Sequence, residues 1–269
     1  MKKVPQKLFK TLKQYNVSVS SKSGYREILA GKREEFSTNN IIENNIIVHV
    51  GTSAQLHIKG CIDNLVLLLE KNAEVRWSSK EENDVKKIKN ISAILRAGAK
   101  FNLISSVNDK VGSTTEMVLL LVGVGATVNI EKAIDSVKIA ETKNNILINH
   151  LAGCTESNYF SRVIVNDGAK VFTKIKTIVS QKSVKSIAHQ KIDNLILSEK
   201  AAASGQPQLE INNNDVICTH ALTTGHLDEN EIFYAKSRGI NEKRALSMIS
   251  EGFLRPIDIK LSDLNNETL

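Results

Sequence analysis

A chain of 269 residues with 41% hydrophobic side chains can bury a core as one large domain or two small ones, and an aromatic share of 4% leaves that core to Ile, Leu and Val. The formal charge of +7 fits a solvated basic surface better than nucleic-acid binding: the lysines are dispersed, with one loose group at Lys2, Lys3, Lys7, Lys10 and Lys13, and no aromatics interleave with them for stacking. Three widely spaced cysteines, Cys61, Cys154 and Cys218, argue against a disulfide framework; the absence of a CxxC pair excludes a zinc ribbon or ferredoxin-type motif, and a reducing, cytoplasmic setting is expected.

In chain order, residues 1–40 read as a helical arm. Leu8, Phe9 and Leu12 give one apolar stripe after Pro5; Tyr25, Ile28 and Leu29 give a second, closed by Gly31 as a C′ glycine. The N-terminus lacks the apolar run of a signal peptide. The longest apolar run, Met117 to Val122, is far short of the roughly 20 residues a membrane helix needs.

From about Ile41 the period changes to two. A small residue, often after Gly, Ser or Asn, precedes alternating apolar and polar positions, with alanines at 54, 73, 99, 126 and 169. The gaps of 19, 26, 27 and 43 residues, the last taken as two units, mark a stacked solenoid. A leucine-rich repeat would show asparagine ladders and helices, which are absent; a hexapeptide repeat is absent too, and a sandwich would not need Gly-Ala before every second strand. The fold class expected is an all-β core with flanking helices: a right-handed parallel β-helix over residues 41–225, then a helical region over 226–269.

The segment 206–240 joins the two. Gln208 to Ile211 alternates as a strand, Asn212 to Asp215 turns, and Val216 to Ala221 alternates again. Past Gly225, Asp228 is a good N-cap with Glu231 at N3, and the helix stops at Gly239. Asn241 caps a second short helix whose apolar face is Ala245, Met248, Ile249, Gly252 and Phe253 and which Pro256 ends. This hairpin can pack one face on the solenoid and offer the other to a partner. The tail after Leu261 is polar and is expected to fray.

Catalytic motifs are scarce. Gly123-Val124-Gly125 is a turn and not a phosphate loop, no GxSxG or HExxH occurs, and no close carboxylate pair stands out. Cys218 and His220 are i and i+2 on a strand, so they leave the same face and can share a soft metal such as iron, zinc or copper. His226 and His189 are candidates for a further ligand. The plainer reading makes Cys218 a small buried hydrophobe and His220 a hydrogen-bonding residue between rungs. Two residues do not complete a metal site, so other ligands must come from another chain. His49, His57 and His150 read as surface or turn histidines, and Cys61 and Cys154 as packing residues.

The stretch 206–256 resembles the SufB/SufD family, scaffold proteins of the SUF iron–sulfur cluster assembly machine. The resemblance lies in Pro207-Gln208-Leu209-Glu210-Ile211, Asp215-Val216, Cys218-Thr219-His220, Thr224-Gly225, Leu227-Asp228-Glu229, Phe233-Tyr234 and Ser237-Arg238-Gly239-Ile240, with an upstream match at His189-Gln190 and Asn194 to Ser198. It implies a parallel β-helix and a non-catalytic scaffold. A SufC-type ABC ATPase would dock on the C-terminal helices, here through Asp228, Glu231, Phe233, Tyr234, Ser237, Arg238, Gly239, Met248 and Phe253. A second scaffold chain, SufB-like or identical, would pair at the C-terminal end of the β-helix, where a transient iron–sulfur cluster would meet Cys218 and His220 as interface ligands. Ile192 stands where SufB-type members place a cysteine, and Ala221 where they place an acidic residue, so the chain looks like a compact SufD-like member; typical members carry a longer N-terminal region. Two other readings are a β-solenoid interaction module without metal and a carbohydrate-active β-helix enzyme. The enzyme would need acidic residues or arginines clustered in an open groove, and usually secretion; the sequence shows neither signal.

Overall fold

The computed structural model describes residues 6–14, 24–37 and 45–266; Pro5 and Ile41 lie outside them, as do the side chains of Leu8 and Phe9. Helix α1 (Gln6–Gln14) comes first. The strands follow as β1 (Gly24–Ile28), β2 (Arg33–Ser37), β3 (Asn45–Val50), β4 (Gln55–Lys59), β5 (Asn64–Leu69), β6 (Glu74–Asn83), β7 (Lys87–Leu95) and β8 (Lys100–Asp109). Then come β9 (Ser113–Leu121), β10 (Thr127–Ser136), β11 (Glu141–His150), β12 (Glu156–Val165), β13 (Lys170–Val179), β14 (Ser186–Ile196), β15 (Ala202–Ile211) and β16 (Val216–His226). Helices α2 (Glu229–Ser237) and α3 (Glu242–Asn266) close the chain.

Among the described residues the odd strands form one eight-stranded sheet in the order β1-β3-β5-β7-β9-β11-β13-β15, and the even strands a second in the order β16-β14-β12-β10-β8-β6-β4-β2. Every pairing is parallel, because each rung sends one strand to each sheet before the chain returns one level higher: a parallel β-helix. Stacked residues lie 22 apart from Arg33 to Gln55, 19 apart from Gln55 to Glu74, and 31 apart by Glu156 to Ile187.

Tyr25 and Ile28, read from sequence as a helical stripe, belong to strand β1. Tyr25 pairs with Ile47 and Ile28 with Val50, so stacking on the next rung overrides a weak local helical pattern. Gly31, at φ +69°, turns a corner between strands and not a helix end.

The corners explain the alanine period. Ser53, Asn72, Gly98, Gly125, Cys154 and Lys185 all sit at positive φ. Each precedes a small buried residue: Ala54, Ala73, Ala99, Ala126, Thr155 and Ser186. The left-handed residue turns the chain inward, and only a small side chain fits inside the bend. The member after Ala126 is therefore Thr155, whereas Ala169 belongs to the opposite corner column with Ala140 and Ala201, each leading into an odd strand. Two alternating corners had merged into one apparent period.

Asparagine ladders, expected to be absent, do occur on the outer face. Asn129 Nδ2 donates to Asn102 Oδ1 at 2.8 Å, and Asn158 Nδ2 to Asn129 Oδ1 at 2.9 Å. What separates this fold from a leucine-rich repeat is that every rung is built of strands alone.

The helices cover the outer faces. Leu12 of α1 packs with Tyr25, Ile47 and Leu68 on the odd sheet. On the even sheet, Leu254 and Ile257 of α3 pack against Ala133 and Ile164. Arg162 clamps this contact: its Nη1 donates to the Phe253 carbonyl at 2.6 Å, and its guanidinium lies 5.4 and 5.3 Å from the rings of Phe160 and Phe253.

Pro256 does not end α3. The helix runs a further ten residues, Leu261 and Leu264 are buried, and Ser78 Oγ donates to Asn265 Oδ1 at 2.6 Å, so the tail is helical and packed as far as Asn266. An internal proline costs about 3 kcal/mol. Burial of Ile257, Leu261 and Leu264 on the sheet, at about 1.5–3 kcal/mol each, exceeds that. The packed face is accordingly Ala245, Leu254, Ile257, Leu261 and Leu264, and Met248 points to solvent. The caps fall where the sequence places them: Asp228 Oδ1 accepts from the Asn230 N–H at 2.8 Å, Gly239 takes φ +82°, and Asn241 Oδ1 accepts from the Arg244 N–H at 2.9 Å.

Candidate functional site

The last rung, β15 and β16, has a neighbour on one side only, β13 and β14. Register identifies which of its side chains face the solenoid axis. Ala188, Gln190, Ile192 and Asn194 are buried on β14 and lie opposite Cys218, His220, Leu222 and Thr224 on β16. The inward row of β16 is thus Val216, Cys218, His220, Leu222, Thr224 and His226. On earlier rungs that row is core; on this one nothing among the described residues covers it, so Cys218 is half-buried and His220 and Leu222 are exposed. Gly205, Pro207, Leu209 and Ile211 of β15 face them across the axis. Gly205 makes room for Leu222: a Cβ there would lie 2.5 Å from Leu222 Cδ1, and that side chain would have to turn away.

Below this mouth, Gln190 supports His220: its Nε2 donates to Thr177 Oγ1 at 2.7 Å and to the Gln208 carbonyl at 3.1 Å. Ile192, fully buried, is the floor under Leu222. Ala221 is on the outer face opposite Lys191.

The structure brings Cys218 and His220 together, with Cα atoms roughly 6.6 Å apart along the strand. It does not bring His189 or His226 to them. His189 is on the outer face, its Nδ1 2.6 Å from Thr219 Oγ1, continuing the column of Asn102, Asn129 and Asn158. His226 shares the inward row but lies about 20 Å from His220 along the strand. No cluster of three or more His, Cys, Asp or Glu occurs among the described residues. Burial raises the Cys218 thiol, against a smaller opposing effect of a hydrogen bond with the Ala188 backbone, so the group is held as a thiol. The rung offers two donors to something that arrives from outside.

Helix α2 buries no residue; Phe233 and Tyr234 are 74% and 61% exposed. The Arg238 guanidinium lies 5.4 Å from the Tyr234 ring, and Ser237 Oγ donates to the Tyr234 carbonyl at 2.7 Å. Glu231 and Met248 are exposed, Asp228 and Gly239 form the helix ends, and Phe253 is engaged by Arg162.

A groove of about 550 Å³ between α3 and the even sheet is lined in part by Glu82, Asp135, Glu251 and Asp258. Burial and the nearby Asp258 raise the Asp135 carboxyl. Asn108 separates Glu82 from Asp135 on the stacked rungs, so the carboxylates do not converge from adjacent rungs as a glycosidase-like site needs.

Three minor readings change. His57 and His150 are buried, not superficial, and His49 lies between Glu27 and Glu70 at 3.5 and 3.3 Å. Cys154 is exposed at a corner, whereas Cys61 is half-buried with its thiol pushed up to about 12 by burial and Glu81. His150 has Nδ1 2.8 Å from Thr155 Oγ1 and Nε2 2.8 Å from Ser157 Oγ, and burial lowers its pKa to about 4. The unfolded chain therefore takes up this proton first. The associated stability is full above pH 6.5 and is lost as pH falls toward 4, by about 3 kcal/mol. Urea midpoints should drop across that window in the wild type and flatten in His150→Gln.

No described helix is long and apolar enough to cross a membrane. The family model for the SufBD core domain of SUF-system FeS cluster assembly matches residues 33–253. The iron–sulfur cluster assembly protein SufD of Escherichia coli is 33% identical over 142 residues, 52% of this chain and 33% of that protein. An iron–sulfur cluster assembly SufBD family protein of Synechocystis is 33% identical over 116 residues, covering 43% of this chain and 25% of the relative. The assembly protein SufB of Bacillus subtilis is 31% identical over 112 residues, covering 42% and 24%. The match thus spans 24–33% of the length of these relatives. With most of the matched residues lying in the parallel β-helix, this chain belongs to the SufBD core family of the SUF iron–sulfur cluster assembly system.

Proposed function

We propose that the protein is a non-catalytic scaffold subunit in iron–sulfur cluster assembly, pairing through its last rung and binding a SufC-type ABC ATPase through its C-terminal helices. The observation that carries this reading is the uncovered inward row of β16, where a buried pattern continues without anything among the described residues to bury it. A second chain, SufB-like or identical, covers that rung by edge pairing. Cys218 and His220 then contribute two ligands to a nascent cluster and the partner supplies the rest, which lets the cluster leave when the pair opens. Ile192 and Ala221 leave this chain fewer donors than a SufB-type chain, so the partner carries the larger share.

Phe233 and Tyr234 anchor the ATPase, since large exposed aromatics on a helix with no buried face favour a partner. ATP-driven closure of the ATPase moves the attached helices and, through α3 clamped on the even sheet, the scaffold interface. The test is co-purification. Wild-type protein should retain the ATPase, and Phe233→Ala with Tyr234→Ala should lose at least tenfold in affinity with unchanged thermal stability. Retention by both the double variant and a chain truncated after Gly225 sinks the mechanism.

A further inference from the structure

Part of the solenoid interior is polar. Between β6, β8 and β10 on one side and β7, β9 and β11 on the other lies a cavity of about 30 Å³, whose lining includes Glu81, Lys89, Lys132, Asn144, Asn83 and Ser105. That volume holds about two waters or one ion of halide size. Lys132 is 5% exposed, Ser105 4%, Asn144 1% and Asn83 0%.

The spare hydrogen-bonding groups here are mostly donors. Lys132 Nζ donates to Asn144 Oδ1 at 2.7 Å, which fixes the amide and leaves Asn144 Nδ2 as a donor without a protein partner. Ser105 Oγ and both ends of the Asn83 amide are also unpartnered. The carboxylates are already committed. Glu81 pairs with Lys89, and Asp109 accepts from Ser113 Oγ at 2.6 Å, Thr142 Oγ1 at 2.7 Å and the Gly112 N–H at 2.8 Å. Lys132 has no ion-pair partner among the described residues. Burial, then the charge of Lys89, lowers Lys132 to about 8, with Glu81 opposing, so the ammonium form still predominates at neutral pH. Buried polar groups in folded proteins are satisfied, and a buried cation is paired.

We infer that this cavity is a binding site for a small monovalent inorganic anion, held by Lys132 and by the spare donors of Asn144, Asn83 and Ser105. A cation is disfavoured because, among the described residues lining the cavity, the unpartnered buried side-chain acceptors are the Asn83 carbonyl and a serine oxygen beside an ammonium. The anion would sit within the scaffold, remote from the Cys218 rung.

The probe is bromide. Diffraction from the full chain crystallised in sodium bromide, near the bromine edge, should show an anomalous peak in the cavity beside Lys132. In solution the thermal midpoint should rise and saturate as bromide replaces gluconate, an anion too large for the cavity, at constant total salt. Lys132→Met should abolish both; if it does not fold, Asn83→Leu is read in its place, and the map of the unmodified chain decides. Waters alone in the cavity, or equal shifts in wild type and variant, overturn the inference. A peak without a saturating shift is an adventitious ion only and overturns it as well.

Discussion

Glu81→Ala is expected to lower folding stability by about 3–5 kcal/mol, measured by urea denaturation in halide-free buffer. The Glu81 and Lys89 side chains are 3% and 9% exposed, and they pair inside the solenoid. Removing the carboxylate leaves an ammonium in low dielectric with no counter-charge of its own. Replacing both residues with methionine is expected to recover most of the loss, because the cost lies in the orphaned charge and not in the missing pair. The pair also makes the protein acid-sensitive. Burial raises the Glu81 carboxyl, but Lys89 and Lys87 act the other way and prevail, so its pKa is lowered overall. Its contribution is therefore present above the ordinary carboxylate range and is lost as pH falls through the lowered value. A loss below about 1 kcal/mol for Glu81→Ala would mean that water reaches Lys89 and that the interior is wetter than its burial implies.

Gly123→Ala is expected to cost at least about 3 kcal/mol, beyond ordinary overpacking. A Cβ at Gly123 would lie 1.9 Å from Ala97 N and 2.2 Å from Arg96 C, both backbone atoms of the rung below. No rotamer relieves that clash; the rungs must part, breaking the bond from the Gly123 N–H to the Leu95 carbonyl at 3.1 Å. Gly125, two residues on, is the internal control. A Cβ there meets nothing within 4 Å, and only its φ of +72° penalises alanine, by about 1–2 kcal/mol. Thermal or urea unfolding of the two variants should separate them clearly. Equal stabilities would show that the rungs are not held as closely as their register indicates.

The solenoid was legible because strand periodicity and buried corner alanines survive in the sequence, as at Ala73 before Val75 and Trp77. The first rung was not. Its strands carry Arg26, Glu27, Glu34 and Glu35, and what makes them strands is pairing with β3 and β4. The length of α3 was hidden for a similar reason: Pro256 is a local stop signal, and the packing of Ile257 and Leu261 that overrides it is tertiary. At the candidate site, the shared face of Cys218 and His220 followed from spacing. That this face points down the axis and lies open followed only from the register with Ala188 and Gln190. The interior charges were readable in principle, since Lys132 is in phase with Ile130 and Ile134, and Glu81 with Trp77. A charge in the apolar phase of a strand signals an interior polar site, although composition assigns it to the surface.

The unclad last rung has one more consequence. A molecule whose last inner row is covered by nothing among the described residues holds a surface that a pairing molecule can bury. Its unfolding is then coupled to mass action: the midpoint rises with protein concentration wherever the ends pair, and dilution alone softens the terminal strands first. Where such an end meets a second copy facing it, the two open rows cover each other and neither is left to recruit a third. An open edge of this kind is also a nucleus for misassembly when nothing pairs with it.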